Sequence, residues 1–361
     1  MEQFPAAADE VTGAWIEEAL RAKGALTRGR IASIEWQAIG TGQVGDSARF
    51  TISYDGGSDG PATVAGKFPA ADETSRQTAA MLELYRKEVN FYREVAPLLD
   101  ARLPEVFAAE LDDSGTRFVL LFEDLGPARG GNQLSSCSIE DARHGIRQAA
   151  AIHAPSWKNP GILGHPWLQR DPAIGERLAA MYPQAQAIFR ERYADSLEPE
   201  FMAICDAFAE INNVWTQDQD ETSVQCLLHG DFRLDNMLFD IRGGSEPIAI
   251  LDWQTVATGK AMTDIGYFLG GGIGDALRRE HEGELLDLYC AEMTRRGVAL
   301  SREEIWHDYR VGALHGLSTA VFSAAFVERT ERGDANFLSM ARGACALALE
   351  HDSLGALKES Q

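Results

Sequence analysis

The sequence predicts an α+β fold in which a small, antiparallel, strand-rich part precedes a larger and mostly helical part. Three observations support this prediction. Segments rich in β-branched and aromatic residues lie in the first third of the chain, apolar residues recur at helical spacing from residue 138 onward, and a strand-like island interrupts the helices at residues 225–253. Alternating strand–helix–strand units are missing, which favours two segregated lobes over a parallel sheet.

The first third contains two predicted helices and five predicted strands. Apolar residues at helical spacing predict an amphipathic helix over residues 11–21 and a longer helix over residues 75–96, which Pro97 ends. Lys67 lies near the end of the third predicted strand. The strand patterns and the turn residues between them predict strands over 31–39, 48–54, 62–68, 106–111 and 117–122.

The rest of the chain is predicted to be mostly helical. Within the strand-like island, apolar runs separated by turn residues predict three short strands over 226–228, 237–239 and 248–251. No internal repeat is present, which argues against a solenoid. The apolar periodicity predicts six helices, over 139–153, 175–194, 199–215, 276–296, 302–327 and 336–354.

Composition and charge exclude several classes of function. The 361 residues are 45% hydrophobic and 24% charged, which excludes a chain that is disordered throughout. Asp and Glu number 55 against 33 Lys and Arg, and the net charge of −22 repels phosphate backbones and anionic lipid. We therefore expect no nucleic-acid partner. The acidity serves either solubility or the attraction of a cationic substrate, and composition does not decide between the two.

Nothing in the sequence indicates export or insertion into a membrane. Residues 1–10 are acidic where a signal peptide needs Lys or Arg, and no run of 18 apolar residues occurs. The five cysteines are scattered without a C-x-x-C pair, which is typical of reduced thiols. We expect a cytoplasmic protein without membrane insertion, and the sequence leaves its oligomeric state open.

The segment HGDFRLDN at residues 229–236 is the most informative part of the chain for chemistry. Asp231 is followed five residues later by Asn236 on a predicted loop between two strands, and Asp252 follows the strand-like run 248–251. Such a spacing is also common in simple turns. Two carboxylates and an amide at adjacent strand ends, however, suit Mg²⁺, which favours few protein oxygens together with phosphate oxygens and water. The pattern therefore indicates a metal–phosphate site.

These motifs resemble a known group of enzymes. The segment 229–236, followed by Ile-Leu-Asp-Trp at 250–253 and Asp-Ile-Gly at 264–266, resembles the aminoglycoside phosphotransferase branch of the protein-kinase-like superfamily. Ala-Ile-His-Ala-Pro-Ser-Trp at 151–157, with Leu-Phe-Glu-Asp-Leu at 121–125, is closer to the ecdysteroid-kinase-like and choline-kinase-like relatives. The first motif is also similar to the kinase-like domain fused to some acyl-CoA dehydrogenases.

The resemblance implies a two-lobed protein-kinase-like fold. Residues 1–123 would form the N-lobe that covers the nucleotide, and residues 124–361 the C-lobe that carries catalysis and acceptor binding. It implies ATP and Mg²⁺ as cofactors, and transfer of the γ-phosphoryl group to a hydroxyl of a small-molecule alcohol acceptor. Leu-Asp-Trp stands where protein kinases have Asp-Phe-Gly, and Gly230 where they have arginine, so control through an activation loop is not expected.

The resemblance also assigns roles in the C-lobe residue by residue. Asp231 matches the aspartate that orients the acceptor hydroxyl and accepts its proton. Asn236 and Asp252 match the two side chains that hold Mg²⁺ on the β- and γ-phosphates. We expect His229 to be structural, with its ring bonded to the catalytic-loop backbone, and Asp264 to be a helix cap or a brace for that loop.

In the N-lobe the resemblance implies a nucleotide site. Lys67 and Glu88 match an ion pair that holds the lysine against the α- and β-phosphates, and Glu83 is the rival partner for Lys67. Backbone groups of Phe122, Glu123 and Asp124, at the junction of the lobes, are expected to meet the adenine edge. A turn between the first two strands would cover the phosphates or is simply a hairpin turn, and its glycines are Gly40, Gly42 and Gly45.

Two other functions compete with this interpretation. The chain could be a pseudokinase-like module that binds a nucleotide or a small molecule without turnover, although its retention of Lys67 and Asp231 argues against this. Protein kinase activity is disfavoured by the missing arginine before Asp231 and the lack of an Ala-Pro-Glu segment. The sequence does not identify the acceptor, and His315 on a predicted helix either lines its pocket or belongs to the core.

Overall fold

The computed structural model describes residues 4–40, 45–169, 172–218, 224–327 and 329–359. Within these residues an antiparallel five-stranded sheet with few helices precedes a mostly helical part, so the predicted α+β class is confirmed.

The N-terminal sheet has the strand order β1-β2-β3-β5-β4, and all of its strand pairs are antiparallel. Its strands agree with the five predicted ones, and they are β1 (Ile31–Ile39), β2 (Gly45–Tyr54), β3 (Thr63–Pro69), β4 (Val106–Leu111) and β5 (Phe118–Glu123). The helices of this part are α1 (Gly13–Ala22), α2 (Glu73–Met81) and α3 (Leu84–Asn90). Because β5 lies beside β3, Lys67 pairs in register with Leu120 in the middle of the sheet.

Every residue of β5 is buried because helices cover both faces of the sheet. Val119 shares a hydrophobic cluster with Leu20 of α1, whereas Leu120 on the opposite face shares one with Val89 of α3. Alternate side chains of a strand point to opposite faces, so one strand contributes to both clusters. The position of α3 on the sheet is therefore fixed by apolar packing.

The structure contains two helices where the sequence predicts one over residues 75–96, so this prediction is wrong. α2 ends at Met81, and Glu83 has a φ of 56°, which is left-handed and interrupts an α-helix. The chain then forms α3, followed by a π-helical turn over Phe91–Val95. The apolar spacing continues across the break, and for that reason the sequence pattern does not detect it.

Five of the six helices that the sequence predicts after residue 138 are present, and the one predicted over 336–354 is divided into two helices at Asp352, whose φ is 50°. α5 has four residues, and α8 is a four-residue turn in which Arg242 and Gly243 are left-handed, so neither gives a periodic signal. The helices are α4 (Ile139–Ser156), α5 (Pro160–Leu163), α6 (Pro172–Tyr193), α7 (Pro199–Asp218), α8 (Ile241–Gly244), α9 (Met262–Tyr267), α10 (Asp275–Arg295), α11 (Arg302–Phe326), α12 (Glu331–Glu350) and α13 (Ser353–Glu359).

The strand-like island forms two small sheets, which hold the loop at residues 229–236. This loop connects β7 to β8, and Leu251, just after β9, donates its N–H to the carbonyl oxygen of Asn236 at 2.9 Å. That bond holds the end of β9 against the loop. One sheet has the order β6-β8-β9 and the other pairs β7 with β10; the strands are β6 (Arg129–Gly130), β7 (Cys226–Leu228), β8 (Met237–Asp240), β9 (Glu246–Ile250) and β10 (Ala257–Gly259).

α9 crosses α11 with its backbone in direct contact. A Cβ atom on Gly312 of α11 would lie 2.1 Å from a backbone carbonyl oxygen of α9, and one on Gly266 would lie 2.6 Å from the N of Ala313. Only glycine fits at both positions without pushing the helices apart. α9 therefore has a defined position next to the loop, and it carries Asp264 and Tyr267.

Among the described helices, none is both long enough and apolar enough to cross a membrane. The five cysteines are free thiols, of which four are buried, in agreement with the expectation of reduced cysteines.

Candidate active site

The loop between β7 and β8 is closed by one asparagine side chain. The Nδ2 of Asn236 donates to the carbonyl oxygen of Asp231 and to its Oδ2, both at 2.8 Å. A 3₁₀ turn over Leu234–Asn236 brings the two residues together across their spacing of five. Because the amide nitrogen is committed to Asp231, the amide oxygen of Asn236 remains for another ligand.

Asp231 carries an ionised carboxylate with partners on both oxygens. The hydroxyl of Tyr267 donates to Oδ1 at 2.7 Å, and Nε of Arg233 lies 3.0 Å from each oxygen. Burial alone would raise the pKa of Asp231, but the charge of Arg233 and the hydrogen bond from Tyr267 outweigh burial and hold that pKa below its ordinary value. The group is therefore in the form that can accept a proton.

Asp264 braces the start of the loop at residues 229–236. This agrees with one of the two roles expected for it, a brace for the loop, and not with the other, a helix cap. Asp264 is fully buried and accepts the N–H of His229 at 2.8 Å and the N–H of Gly230 at 3.0 Å. His153, also fully buried, contacts Asp264 through Nε2 at 3.3 Å. Burial would raise the pKa of Asp264, but the hydrogen bond and charge of His153 keep it below the ordinary value.

His229 bonds backbone groups, which agrees with its expected structural role. Its Nε2 donates to the carbonyl oxygen of Leu251 at 2.9 Å, and its Nδ1 accepts the N–H of Asp231 at 3.3 Å. With both nitrogens occupied by backbone, the ring ties the loop to the end of β9.

Lys67 connects the N-terminal sheet to α3 and to the end of β9. Its Nζ lies 2.7 Å from Oε1 of Glu88 on α3 and 3.2 Å from Oδ1 of Asp252. Burial alone would lower the pKa of Lys67, but the charges of Asp252 and Glu88 outweigh it and raise the pKa. The rival Glu83 points elsewhere: its side chain is 58% exposed and lies 3.7 Å from Arg86.

Asp252 has a left-handed backbone conformation, which aspartate adopts more readily than most other residues. Its φ is 62°, in the left-handed region that costs non-glycine residues about 1–2 kcal/mol. The next residue, Trp253, is fully buried, stacks on Phe91 with ring centroids 3.8 Å apart, and donates its N–H to Glu88 at 3.3 Å. Packing of the tryptophan on the π-helical turn thus holds Asp252 beside Lys67.

The junction residues are held by side-chain contacts. Phe122 packs on Tyr92 with ring centroids 4.9 Å apart. The side chain of Glu123 is buried between Arg102 and Arg242, and its N–H donates to the carbonyl oxygen of Glu105 at 2.9 Å. The backbone N–H of Glu123 is therefore already bonded within the protein. The expectation that backbone groups of Phe122, Glu123 and Asp124 meet the adenine edge is wrong for this N–H.

Asp124 ties the junction to β2. Its carboxylate accepts two bonds from Arg49, at 2.6 and 2.9 Å, and one from the N–H of Gly126 at 3.0 Å. The bidentate pair explains why this side chain is buried, because a carboxylate leaves water only for good partners.

The glycines between the first two strands are only partly placed. Gly42 lies outside the described residues. Gly40 follows β1 and has a φ of 75°, and a Cβ atom on Gly45 would lie 3.5 Å from Cε of Lys67. The far end of the turn is therefore next to Lys67.

The donor set fits a hard divalent cation shared with phosphate. The free amide oxygen of Asn236 and the carboxylate of Asp252, whose side chain is 42% exposed, come from segments that the Leu251–Asn236 backbone bond joins. Among the described residues, no three His, Cys, Asp or Glu side chains form a metal cluster. Mg²⁺ commonly takes one or two protein carboxylates and completes its shell with water and phosphate oxygens, so this set suits it.

Two residues at the site were not predicted from the sequence. Arg233 contacts the carboxylate of Asp231, and its Nη1 lies 2.8 Å from Asp235. Because Arg233 lies only two residues after Asp231, its contact with the carboxylate could have been expected from the sequence. Tyr267 lies 36 residues after Asp231, and nothing in the sequence pattern connects the two.

The chain is similar to proteins of a known family. The model of the ecdysteroid kinase-like family matches residues 46–300. "Acyl-CoA dehydrogenase family member 11" of Gallus gallus is 23% identical over 172 residues, which are 45% of this chain but only 20% of that protein. The chain thus spans a small part of the curated relative.

Solved structures share the fold along nearly the whole chain. A Ralstonia eutropha protein provisionally named an aminoglycoside phosphotransferase is 18% identical, with a TM-score of 0.52, over 92% of this chain and 98% of that one. A microcompartment-associated aminopropanol kinase is 16% identical, with a TM-score of 0.50, over 95% and 99%. These similarities confirm the two-lobed protein-kinase-like fold. With the family model matching well over half of its length, the chain belongs to the ecdysteroid kinase-like family.

Proposed function

We propose that this chain transfers the γ-phosphoryl group of ATP, with Mg²⁺, to a hydroxyl of a small-molecule acceptor. The observation that supports this most is the convergence of three segments: Lys67 with Glu88 from the N-lobe, Asp252 after β9, and Asp231 with Asn236 on the loop. An ammonium, two metal-binding oxygens and a carboxylate base are the parts that phosphoryl transfer requires.

In this proposal Lys67 holds the α- and β-phosphates. The ammonium stays charged because two carboxylates face it, and Glu88 fixes its direction from the buried side. A bound nucleotide would share Lys67 with Glu88 in place of the contact to Asp252, which would then be free to hold the metal. The residues that would hold Mg²⁺ are Asn236 and Asp252, and the bound ion would neutralise charge on the β- and γ-phosphates.

Asp231 is the proposed base. Its carboxylate is ionised and anchored, so it can accept the proton of an acceptor hydroxyl as the oxygen attacks the γ-phosphorus. Asp264, His229 and His153 act indirectly in this scheme, because they hold the loop that carries Asp231. Such positioning matters because enzymes catalyse phosphoryl transfer mainly by positioning the reacting groups and by stabilising charge.

The same proposal divides the chain into an N-lobe over 1–123 and a C-lobe over 124–361. The adenine would lie at the junction, beside Phe122, with the carbonyl oxygen of Glu123 and backbone groups at and after Asp124 as its polar contacts. The side chains of Glu123 and Asp124 are engaged with arginines and would not contact it. The turn with Gly40, Gly42 and Gly45 would cover the phosphates.

The acceptor is a small alcohol in this proposal, and its identity is open among amino alcohols, sugars, aminoglycosides and sterols. The names of the two solved neighbours agree with a small-molecule acceptor. The competing function is a module that binds nucleotide without turnover. The presence of Asp231 together with Lys67, Asn236 and Asp252 favours turnover, because a binding module has no need of a base.

The experiment is a coupled assay of nucleoside diphosphate release, which follows ADP with Mg-ATP and GDP with Mg-GTP. The acceptor panel contains glycerol, glucose, choline, 1-amino-2-propanol, kanamycin and a polyhydroxylated sterol. At least one acceptor should raise ADP release well above the rate with water alone, and the product should carry a phosphoryl group by mass spectrometry. Nucleotide binding without ADP release toward any acceptor would favour the pseudokinase-like alternative.

A further inference from the structure

We propose that Tyr267 is a positioning residue that sets the direction in which Asp231 presents its carboxylate to the acceptor. The inference rests on the proposed function and deepens it. It assigns a role to a residue on α9 that lies in none of the motifs described above.

The contact itself is short and specific. The hydroxyl of Tyr267 donates to Oδ1 of Asp231 at 2.7 Å, while Nδ2 of Asn236 donates to Oδ2 at 2.8 Å. One anchor on each oxygen defines the plane of the carboxylate. Arg233 approaches both oxygens at 3.0 Å and would attract the carboxylate toward itself if one anchor were lost.

The ring of Tyr267 has no alternative position among its described neighbours. It is almost fully buried, and the imidazole of His315 lies edge-on to it, with centroids 5.3 Å apart and planes at 87°. On α11, a Cβ atom at Gly316 would lie only 3.0 Å from Cδ2 of the tyrosine. Sδ of Met340 on α12 lies 3.9 Å from the hydroxyl. The position of Tyr267 on α9 and its contacts with α11 and α12 therefore determine where the hydroxyl points.

The backbone beneath the ring is equally constrained. Gly266, the preceding residue, is in the close contact with α11 at Gly312 and Ala313 that fixes α9. Asp264 on the same short helix accepts two N–H groups of the loop that carries Asp231. α9 thus holds the loop backbone through Asp264 and its catalytic side chain through Tyr267.

The consequence is a loss of rate without a loss of binding when the hydroxyl is removed. Tyr267 touches neither the proposed metal ligands nor Lys67 in the contacts described, so nucleotide affinity should not depend on it. Displacement of a reacting group by about 1 Å can cost on the order of 10²-fold in rate. We therefore expect Tyr267→Phe to lower kcat by about 10- to 100-fold, with the KM for ATP and for the acceptor within about two-fold of wild type.

The test compares Tyr267→Phe with Tyr182→Phe, in Mg-ATP turnover with the most active acceptor of the panel and with water as acceptor. Tyr182 is a matched control, because it is also buried and its hydroxyl has no hydrogen-bond partner among the described residues. The control should keep wild-type kcat. A kcat loss in Tyr267→Phe alone, with unchanged KM and with a thermal midpoint that stays well above the assay temperature, supports the inference.

A second variant, Gly316→Ala, keeps the hydroxyl but crowds the ring. If Tyr267 acts by its position, Gly316→Ala should lower kcat as well, because it displaces the ring. If only the presence of the hydroxyl mattered, Gly316→Ala would keep wild-type kcat. Wild-type kcat in Tyr267→Phe would overturn the inference and leave the proposed function intact. A rise in KM with unchanged kcat would also overturn it, since that result indicates acceptor binding. A wild-type chain without turnover toward any acceptor or water would contradict the proposed function, and this inference with it.

Discussion

Lys67 and Asp252, which are 185 residues apart in the chain, lie 3.2 Å apart in the structure. The pair joins the N-terminal sheet to the end of β9 in the C-terminal part. Glu88 also contacts both parts, because its Oε1 accepts hydrogen bonds from Nζ of Lys67 and, at 3.3 Å, from the N–H of Trp253. A nucleotide phosphate between Lys67 and Asp252 would replace a contact that the protein already makes with its own charges.

The first prediction concerns the partner of Lys67. Lys67→Met and Glu88→Gln should each lower turnover, and the double variant should lose less than the sum of the two free-energy effects. The reason is that the two side chains act as one unit through a 2.7 Å ion pair. The measurement is a double-mutant cycle on kcat/KM for ATP.

Glu83→Gln is the control for this cycle, since Glu83 is exposed and contacts only Arg86 in the ion pairs described. It should keep turnover within about two-fold of wild type, as expected for a surface ion pair. Additive effects of Lys67→Met and Glu88→Gln, or a Glu83→Gln variant as impaired as Lys67→Met, would contradict the assignment.

The second prediction concerns the metal. Asp252→Ala removes a proposed charged ligand, so Mg²⁺ should add nothing to the thermal stabilisation of this variant by ATP, whereas it should add to that of the wild type. Asp240→Ala is a matched control because Asp240 also has a left-handed backbone, with a φ of 51°, yet lies on the surface with Arg129. Both alanines meet similar backbone strain, and only Asp252→Ala should lose the Mg²⁺ effect. An equal Mg²⁺ effect in both variants would move the metal site elsewhere.

The third prediction concerns the buried brace. Asp264→Asn should lower the free energy of unfolding by about 1.5–3 kcal/mol, as expected when hydrogen bonds to a buried charge are weakened. Because folding depresses the pKa of Asp264, its contribution is present above the unfolded value near 4 and is lost as the pH falls through the lower folded pKa. Urea unfolding at neutral and acidic pH measures this, and the difference from wild type should shrink in acid.

Asp240→Asn serves as the surface comparison for the brace, since its ion pair with Arg129 is exposed and should change stability by less than about 0.5 kcal/mol. Equal stability of Asp264→Asn and Asp240→Asn would show that the contacts to His229 and Gly230 do not hold the loop.

The sheet and the long helices could be predicted because their signals are local. A short run of apolar and aromatic residues such as that of β5 indicates a buried strand, and an apolar stripe such as that of α4 indicates a helix, without knowledge of the rest of the fold. The break at Glu83 could not be predicted in this way. A single left-handed residue does not change the apolar spacing around it.

The residues of the candidate site likewise fall into those that sequence motifs indicate and those that only the packing of the fold brings together. Asp231, Asn236 and Asp252 lie in recognisable motifs, and their roles remain predictions that rest on the resemblance. The contact of Tyr267 with Asp231 depends on how α9 crosses α11, which is a property of packing and leaves no mark in one sequence. The engagement of the Glu123 N–H is likewise set by the register of β5 against the segment before β4.

The most direct test of the account is the turnover of Asp231→Asn, measured as ADP release and as phosphorylation of the acceptor, with ATP affinity measured in parallel. Asparagine keeps the shape of the side chain but cannot accept the proton, so we expect kcat to fall by about 10²- to 10⁴-fold while the Kd for ATP stays within a few-fold of wild type. Near wild-type kcat with intact nucleotide binding would contradict the role of Asp231 and the proposed phosphotransferase mechanism built on it.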